Sequence, residues 1–534
     1  MAHWKDISNV FAPRRGRFLV TDRNKGDKRY NNIINNKGVM AARVFTAGML
    51  AGTMSPARPW FVLETDDEDL MEYQPVKEYF EKYGKLIQRI IADGNFYEMA
   101  ATLIRETGLF ATGAMSHVDD YQDVARFYTH TVGSYAIAVD DRGNVVYMTR
   151  EYQRTVSQLV ERFGIKNVSL QVKLAYDRGN YNDYFDVVHF LGPNDKQVYG
   201  SALSKDKKFV SCYYEPSNSN QEQYLEEKGF DEFPMHITRW DVTDGDAWGT
   251  DCPAMTALGD NRALQIQEKR KAQGIDKMVA PPLKGPIGLS KTTVSALPSD
   301  LTLYDMNDTG QGLSPIYQVN PPLGELRLDM TALEGRCDDA FYVKLFLAIS
   351  EMEGIQPRNQ LDIIQRNEER LLQLGPPLNR WYSDLGNPLI DRIFNQCERA
   401  KIGPVPPPEL RGKVVKVRYV STLAMAQRAV ATGGIERLSG YVIGLVGGGF
   451  EEAKFKFDAM QSVDEYAKAI GVSPRLIIPD DAANQNYAAF QQQQQAAAGL
   501  AAAQSGADSA SKLANAKLDQ PSALTAIAQG VSGG

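Results

Sequence analysis

Cysteine is scarce in this chain of 534 residues: Cys212, Cys252, Cys337 and Cys397 are far apart and form no Cys-x-x-Cys pair. That excludes a disulfide framework and a thiolate zinc site, and it predicts reduced, buried thiols. Histidine is nearly as rare. His3, His117, His130, His189 and His236 share no ligand spacing, so each reads as a surface or core side chain and no metal is expected. The sequence has no GxxxxGK[ST] loop, no HExxH, no GxSxG and no GxGxxG opening a helix after a strand. An ATP-hydrolysing motor and the common hydrolase and dinucleotide sites are therefore not expected, nor is a cofactor. Met1–Phe11 lacks the apolar core of a secretion signal. The longest weakly polar run, Leu438–Phe450, falls short of the ~20 apolar residues a membrane helix needs, so no membrane partner is expected. Its glycines, Gly444, Gly447, Gly448 and Gly449, lack a lysine and a flanking strand and read as a helix end.

The balance of charge is acidic, at −7 with a pI near 5.5. Tight gripping of nucleic acid needs clustered Lys and Arg, which such a chain does not supply in bulk; an acidic surface does suit a protein that DNA slides past. Carboxylates gather at Asp66-Asp67-Glu68-Asp69 and again at Asp241, Asp244, Asp246 and Asp251. A Mg²⁺ site for nuclease chemistry can be drawn in the second group. No partner residues for such chemistry stand out, and a solvated loop and a turn before a helix explain the two runs as well.

The order of elements is informative. Apolar residues at helical spacing predict a helix over Asn24–Leu50, a short strand at Trp60–Leu63, and two helices across Pro75–Met115 punctuated by Asp93-Gly94-Asn95. Ala125–Arg239 is strand-rich, with runs at Tyr135–Val139, Asn144–Met148, Phe185–Phe190 and Lys208–Tyr214 and a hairpin signal at Asp141-Arg142-Gly143-Asn144. A long, polar helix follows over Pro253–Gly274, with Pro253 at its first position. It has too few apolar residues for the core of one compact domain and suits bridging through solvent or packing against copies of itself. Its basic end, Lys269, Arg270, Lys271 and Lys277, either complements the helix dipole or, repeated around a ring, makes a basic belt. Ala280–Gly324 is rich in Pro and Gly. A second long helix is predicted at Thr331–Met352, interrupted by Gly354–Asn359 and resuming from Gln360 to Leu374. Gly375-Pro376-Pro377 should break or kink it, and Asn387 should cap another helix with Pro388 at its first position. A stiff linker at Gly403–Pro408, a strand at Val414–Val420, helices over Leu423–Ile470 and a Gln/Ala-rich, partly helical tail from Asn484 complete the chain.

Three stretches, in this order, resemble the head-to-tail connecting proteins of short-tailed phages. They are Arg43–Phe61, with its small-residue helix end and Ser-Pro…Trp-Phe turn; Trp248–Pro253, followed by Leu258, Asp260 and Leu264; and Arg370–Arg392, with Leu374-Gly375-Pro376 and Asn387-Pro388-Leu389-Ile390-Asp391-Arg392. The resemblance spans about Asp22–Pro479 and departs from the family at Gln356-Pro357-Arg358-Asn359-Gln360, where relatives often have a Thr-Ala-type helix start. It implies an α+β, mainly helical portal fold assembling as a ring, with wing (1–252), stem helix (253–277), clip (278–330), second stem helix (331–352), tunnel loop (353–360), wing (361–420), crown (421–480) and tail (481–534). It further implies a homo-oligomer, typically a dodecamer, and a channel for double-stranded DNA bound without regard to sequence. The implied partners are the terminase large subunit, a tail adaptor, and the major capsid and scaffolding proteins. Tunnel-loop residues Gln356, Arg358 and Asn359 would face DNA, Lys284 and Lys291 would lie in the docking clip, and the virion would be the site of action, after assembly in the host cytoplasm. A carboxylate-dependent phage hydrolase or nuclease, or another virion structural protein, is the alternative reading.

Overall fold

The computed structural model describes residues 1–22, 33–67, 70–71, 73–201, 203–218, 223–281, 283–284, 314–315, 322–351, 368–410, 412–470, 478 and 480–514. It divides into two units, Met1–Gly433 and Gly434–Gly534.

The first unit opens with α1 (Ala2–Phe11), α2 (Lys37–Thr53), β1 (Phe61–Thr65), α3 (Gln74–Asp93) and α4 (Phe96–Phe110). Of the predicted helix over Asn24–Leu50, residues 24–32 lie outside the described residues; α2 begins at Lys37, and residues 33–36, which the apolar spacing placed in the helix, are not helical. Gln265 is the reason: its Oε1 accepts from the backbone N–H groups of Ile34 and Asn35 at 2.7 and 2.8 Å, and its Nε2 donates to the Asn35 carbonyl at 2.8 Å. One side-chain amide thus takes up backbone groups that would otherwise start a helix.

Two sheets follow. One has the order β3-β2-β9, from β2 (Thr112–Asp120), β3 (Val124–His130) and β9 (Met235–Arg239); the other runs β4 (Tyr135–Val139), β5 (Val145–Thr155), β6 (Tyr184–Pro193), β7 (Phe209–Tyr214), β8 (Glu226–Phe230). Every neighbouring pair is antiparallel. The expected β4–β5 hairpin is present. Asp140 holds it by accepting from the N–H groups of Arg142 and Asn144, and Gly143 supplies the positive φ of 76°. Two helices inside this region, α5 (Val156–Phe163) and α6 (Leu170–Asp177), were not expected. Their signal is in the sequence: Thr155 and Gln158 form a capping box, and Val156, Leu159, Val160 and Phe163 recur at helical spacing. They cover the second sheet with Val156, Leu159, Phe163 and Val172 against Val187 and Leu225.

The long polar helix is α7 (Pro253–Val279), with Pro at its start as expected, and it runs past Gly274. At 27 residues it is about 40 Å long. Contrary to expectation, its first half belongs to the core: Ala254, Ala257, Leu258 and Leu264 are buried, because alanines and leucines at helical spacing fall on one face. The second long helix is corrected in two respects. It begins as α8 (Leu323–Ala340), inside the segment assigned to the clip, and it breaks at Phe341-Tyr342 before α9 (Val343–Glu351). Tyr342 takes a left-handed φ of 54°. Residues five apart on one helix point about 140° away from each other. The break instead lets Phe341 and Phe346 both meet Phe45, at centroid distances of 6.1 and 5.8 Å.

Of the break or kink expected at Gly375-Pro376-Pro377, the break does not occur: α10 (Glu368–Trp381) carries both prolines inside it. Asn387 is not a cap either. A π-helical turn, Tyr382–Gly386, leads directly into α11 (Asn387–Ala400), and the Asn387 N–H donates to the Tyr382 carbonyl, five residues back. Pro388 lacks an N–H, so the ordinary four-residue ladder cannot pass it; the wider turn absorbs the defect. The linker leads to β12 (Val415–Tyr419), which pairs antiparallel with β1. The first unit ends within α12 (Thr422–Gly447).

The second unit holds the rest of α12, then α13 (Ala459–Ile470) and α14 (Asp480–Ala514). The glycine run is a helix end, with Gly449 at a φ of 97°. Tyr441, Ile443, Phe450, Phe455 and Val463 of this unit are exposed.

The main core of the first unit forms where α2 approaches α4 and α9. A Cβ at Gly48 would lie 2.2 Å from Phe346, and one at Gly108 would lie 2.4 Å from Phe45. Gly48→Val should therefore cost about 1–3 kcal/mol through overpacking. Urea unfolding of the variant measures it; an unchanged midpoint would mean that α2 and α9 are not in contact.

Candidate functional site

The long helices α7 and α8 form an antiparallel pair whose register can be read from its contacts. Arg336 reaches Asp260 at 3.2 Å, Leu264 packs with Met330 and Leu333, and Gln267 donates to Asp329. The base of the pair is tied down from several sides. Lys37 meets Asp338 at 2.6 Å, Arg262 meets Asp6 at 3.0 Å, and Asn35 donates to Glu334 at 3.2 Å. Beyond Gln265, α7 becomes mostly exposed.

Three of the four predicted belt residues, Lys269, Arg270 and Lys277, lie on this exposed stretch. Lys271 is partly covered and pairs with Glu268 of its own helix. The pair is polarised. α7 carries Arg262, Lys269, Arg270, Lys271 and Lys277 against Asp260, Glu268 and Asp276, whereas α8 carries Glu325, Asp329, Glu334, Asp338 and Asp339 against Arg327 and Arg336. Ile266, Leu328 and Val279 are exposed on the same two helices, at 51%, 73% and 80%.

Lys284 lies in a two-residue strand, opposite Ser314 of a second one. Lys291 and the tunnel-loop residues Gln356, Arg358 and Asn359 lie outside the described residues. Among the described residues the two carboxylate runs do not converge. Asp66 and Asp67 pair with Lys416 and Lys413, and Asp251 accepts from the Cys252 N–H at the start of α7. Among the described residues no group of three or more His, Cys, Asp and Glu is arranged to hold a metal ion. All four cysteines are free and buried, as expected, and burial pushes the Cys252 thiol up to about 12.

Four histidines that sequence spacing keeps apart are gathered by the sheets. His117 on β2 lies near His236 on β9 because Met115 is registered opposite His236. His117 Nδ1 is 3.1 Å from His236 Nε2, and His117 Nε2 is 3.0 Å from Gln396 Oε1 on α11. Since an amide oxygen only accepts, the His117 Nε2–H donates to it. His117 Nδ1 is then the acceptor from His236 Nε2–H, which leaves His236 Nδ1 buried without a donor among the described residues. Gln396 donates onward to Asp119 at 2.5 Å, and Asp119 also accepts from the fully buried Arg392 at 3.1 Å. Arg392 and Arg399 share Glu232 at 3.4 and 2.8 Å. This chain of bonds fastens α11 across the first sheet. The second pair sits where the two sheets meet: Arg150 contacts His130 at 3.3 Å, and His189, registered opposite Arg150, stacks on Tyr213 at 3.9 Å. No sequence signal marks either pair, since His117 and His236 are 119 residues apart.

The family of bacteriophage head to tail connecting proteins matches residues 1–478. The chain belongs to that family. Among the relatives of this connector, the portal protein of Salmonella phage epsilon15 is 37% identical over 99% of this chain and 94% of its own length. The probable portal protein of Bordetella phage BPP-1 is likewise 37% identical, over 100% of this chain and 95% of its own. A chain from a solved structure described as the neck of an empty GTA particle aligns over 79% of the connector and 92% of itself, at 12% identity and a TM-score of 0.31. A likeness that loose supports no assignment of fold or function. The family description names a connecting component rather than a catalyst. No helix among the connector's described residues is long and apolar enough to cross a membrane.

The buried histidines should make the connector acid-sensitive. Burial holds all four below the usual imidazole range, followed by His236 and Arg392 at His117, Arg150 and His189 at His130, Arg150 and Arg162 at His189, and Arg392 at His236; His189 and His236 are lowered to about 3. Their folded values are depressed, so above about pH 6.5 both states are neutral and stability is undiminished. As pH falls from there towards 3, the unfolded chain takes up protons that the folded chain refuses, and stability drops by up to about 1.4 kcal/mol per histidine per pH unit. Burial raises Glu106 and Asp384, which offset part of the loss nearer the carboxylate range. Urea unfolding at pH 7 and pH 5 should show a lower midpoint at pH 5. The difference should shrink in a His117→Gln/His236→Gln variant; an identical pH dependence would rule out that pair as a source.

Proposed function

We propose that the chain is the subunit of a portal: a ring, of twelve copies, at one vertex of the phage capsid, through which double-stranded DNA enters during packaging and leaves on ejection. The observation that carries this reading is the match, end to end, to two relatives named as a portal protein and a probable portal protein. A protein of this kind is a component of the virion, and this one would assemble in the host cytoplasm.

In this reading α7 and α8 are the stem. One polarised helix pair per copy suits a head-to-tail interface, in which the basic face of α7 meets the acidic face of α8 on the next copy, with Ile266 and Leu328 between them. A heterologous contact of that kind closes into a ring when its rotation divides the circle. Lys269, Arg270 and Lys277 that are not used between copies form the belt facing the channel. Their contacts with phosphate carry no sequence information, and a few per copy leave DNA free to move. Gln356, Arg358 and Asn359 extend the lining as the tunnel loop. Residues 278–330, with Lys284 and Lys291, form the clip that docks the terminase large subunit and later the tail adaptor. The wing contacts the major capsid and scaffolding proteins. Energy for translocation comes from the terminase, in keeping with a sequence that has no GxxxxGK[ST] loop.

Negative-stain microscopy with native mass measurement on the purified full chain tests the reading. Rings of about twelve copies with a hole of about 20 Å or more, enough for a duplex, are expected. Monomers or dimers at high protein concentration would overturn it. Charge reversal tests the stem. Lys269→Glu/Arg270→Glu and Glu325→Lys/Asp329→Lys should each lower the ring fraction, and mixing the two variants should restore it. Failure of both single sets to affect assembly would remove the stem from the interface.

A further inference from the structure

One row of side chains crosses the second sheet from edge to edge. Register sets it: Tyr135 on β4 lies opposite Arg150 on β5, Arg150 opposite His189 on β6, His189 opposite Tyr213 on β7, and Tyr213 opposite Glu226 on β8. Opposed residues of an antiparallel pair share a face, so all five point the same way. On one side of Arg150 and His189 lie Tyr152 and Val187, within the apolar cluster that α5 and α6 cover. On the other side lie Met148 and Leu191, within a second apolar cluster. Polar groups enclosed in this way are ordinarily all hydrogen-bonded. Here Tyr135 Oη, Arg150 Nε and His189 Nδ1 are buried without a hydrogen-bond partner among the described residues.

Arg150 is also a charge without a counter-charge. Among the described residues it forms no ion pair; its contacts are His130 Nε2 at 3.3 Å and the ring of Tyr152 at 4.8 Å. Burial keeps His130 below the usual imidazole range, so at pH 7 it is neutral and accepts a bond without cancelling the charge. Arg154 lies over the same Tyr152 ring at 5.4 Å, and Arg162 lies over Tyr213 at 4.7 Å. Of these three guanidinium groups only Arg162 meets a carboxylate, Glu226 at 3.9 Å, and Lys228 shares it. A guanidinium does not lose its proton inside a protein, and a buried charge is costly unless it is paired. His189 supplies a second donor beside Arg150. Its Nε2 is 2.9 Å from the Ser211 hydroxyl, and when that hydroxyl donates, Nδ1 carries the proton. Two N–H groups on directly opposed residues then lack an acceptor, and the charge on one of them selects a negative one.

We propose that this row is a binding site for a small inorganic anion, held by Arg150 and His189 where the two sheets meet. The reading does not depend on the portal assignment. Tyr135 and His189 are each only 6% exposed, so the row admits a free ion and not the backbone of a nucleic acid. The side chain of Arg162, 46% exposed, marks the end of the row nearest solvent. The anion supplies the negative charge that the residues around Arg150 do not.

The test is calorimetric titration of the full-length protein with sodium phosphate and, separately, with sodium chloride, joined to urea unfolding over the same concentrations. Arg150→Met is the site variant, because it removes the charge and the Nε donor and keeps the length of the side chain. Lys269→Ala/Arg270→Ala is the control for ions gathered at the surface. Saturable binding of one of the two anions is expected, weakened about tenfold or more in Arg150→Met and unchanged in the control. The urea midpoint should rise with that anion in the unmodified protein and stay level in Arg150→Met, since a ligand stabilises only the state that binds it. The anion that saturates names the ion. No saturable binding of either up to about 10 mM overturns the proposal, as does binding that Arg150→Met leaves intact. An Arg150→Met protein more stable than the original at every anion concentration overturns it too, because the charge is then simply uncompensated. If Arg150→Met does not fold, His189→Phe carries the same comparison: it removes the Nδ1 donor and keeps a ring to stack on Tyr213. Rings that form normally but bind no anion at this row would refute the site and leave the portal reading standing.

Discussion

Helix α2 lies closer to its neighbours than ordinary side chains permit, and the main core of the first unit is arranged around that approach. Gly48 has Phe346 against it and Gly52 has Leu423, while Phe45 presses on Gly108 from the other side. Phe45 then meets Trp240, Phe341 and Phe346, which bring the end of β9, the break after α8 and the start of α9 to one point. Interiors packed to crystal density cannot yield a side chain's width without rearranging. The positions of α8 and α9 relative to the sheets follow from this contact, since these helices are held on one side of Phe45 and the sheets on the other through Trp240.

The polar interior does a different job. Arg392 is fully buried, and burying a guanidinium is costly unless its donors are satisfied. Asp119 and Glu232 satisfy two of its nitrogens, and Gln396 extends the network to the histidine pair. These bonds specify which face of α11 meets the first sheet, because Arg392, Gln396 and Arg399 share one side of the helix while Leu389, Ile393 and Cys397 turn to the apolar core. The π-helical turn before α11 belongs to the same arrangement. It passes Pro388 and also brings Asp384 to Arg239, whose backbone N–H donates to it at 3.2 Å.

Much of the fold was legible in the chain. Period-two runs located β4 to β7, and Pro253 marked the start of α7. Misjudgements arose where local rules met a tertiary requirement. Helix was expected over residues 33–36, where Gln265 takes up the backbone groups instead, and the second long helix was broken to aim two phenylalanines at one target. The prolines at 376 and 377 were tolerated inside a helix. The capping box of α5 was visible and overlooked. Of the candidate site, the basic residues at the end of α7 were visible in the sequence, while the histidine pairs were not, because His117 and His236 are 119 residues apart.

The sequence by itself determined the class of the protein. Missing catalytic motifs, an acidic balance, a polar long helix and three ordered stretches point to a connecting component, since they are properties of composition and local order. Tertiary structure alone decided which side chains meet. The antiparallel register put His117 beside His236, and the paired helices separated basic from acidic charge. Contacts between residues tens to hundreds of positions apart depend on how elements pack, and packing is set by shape and burial that no local pattern encodes.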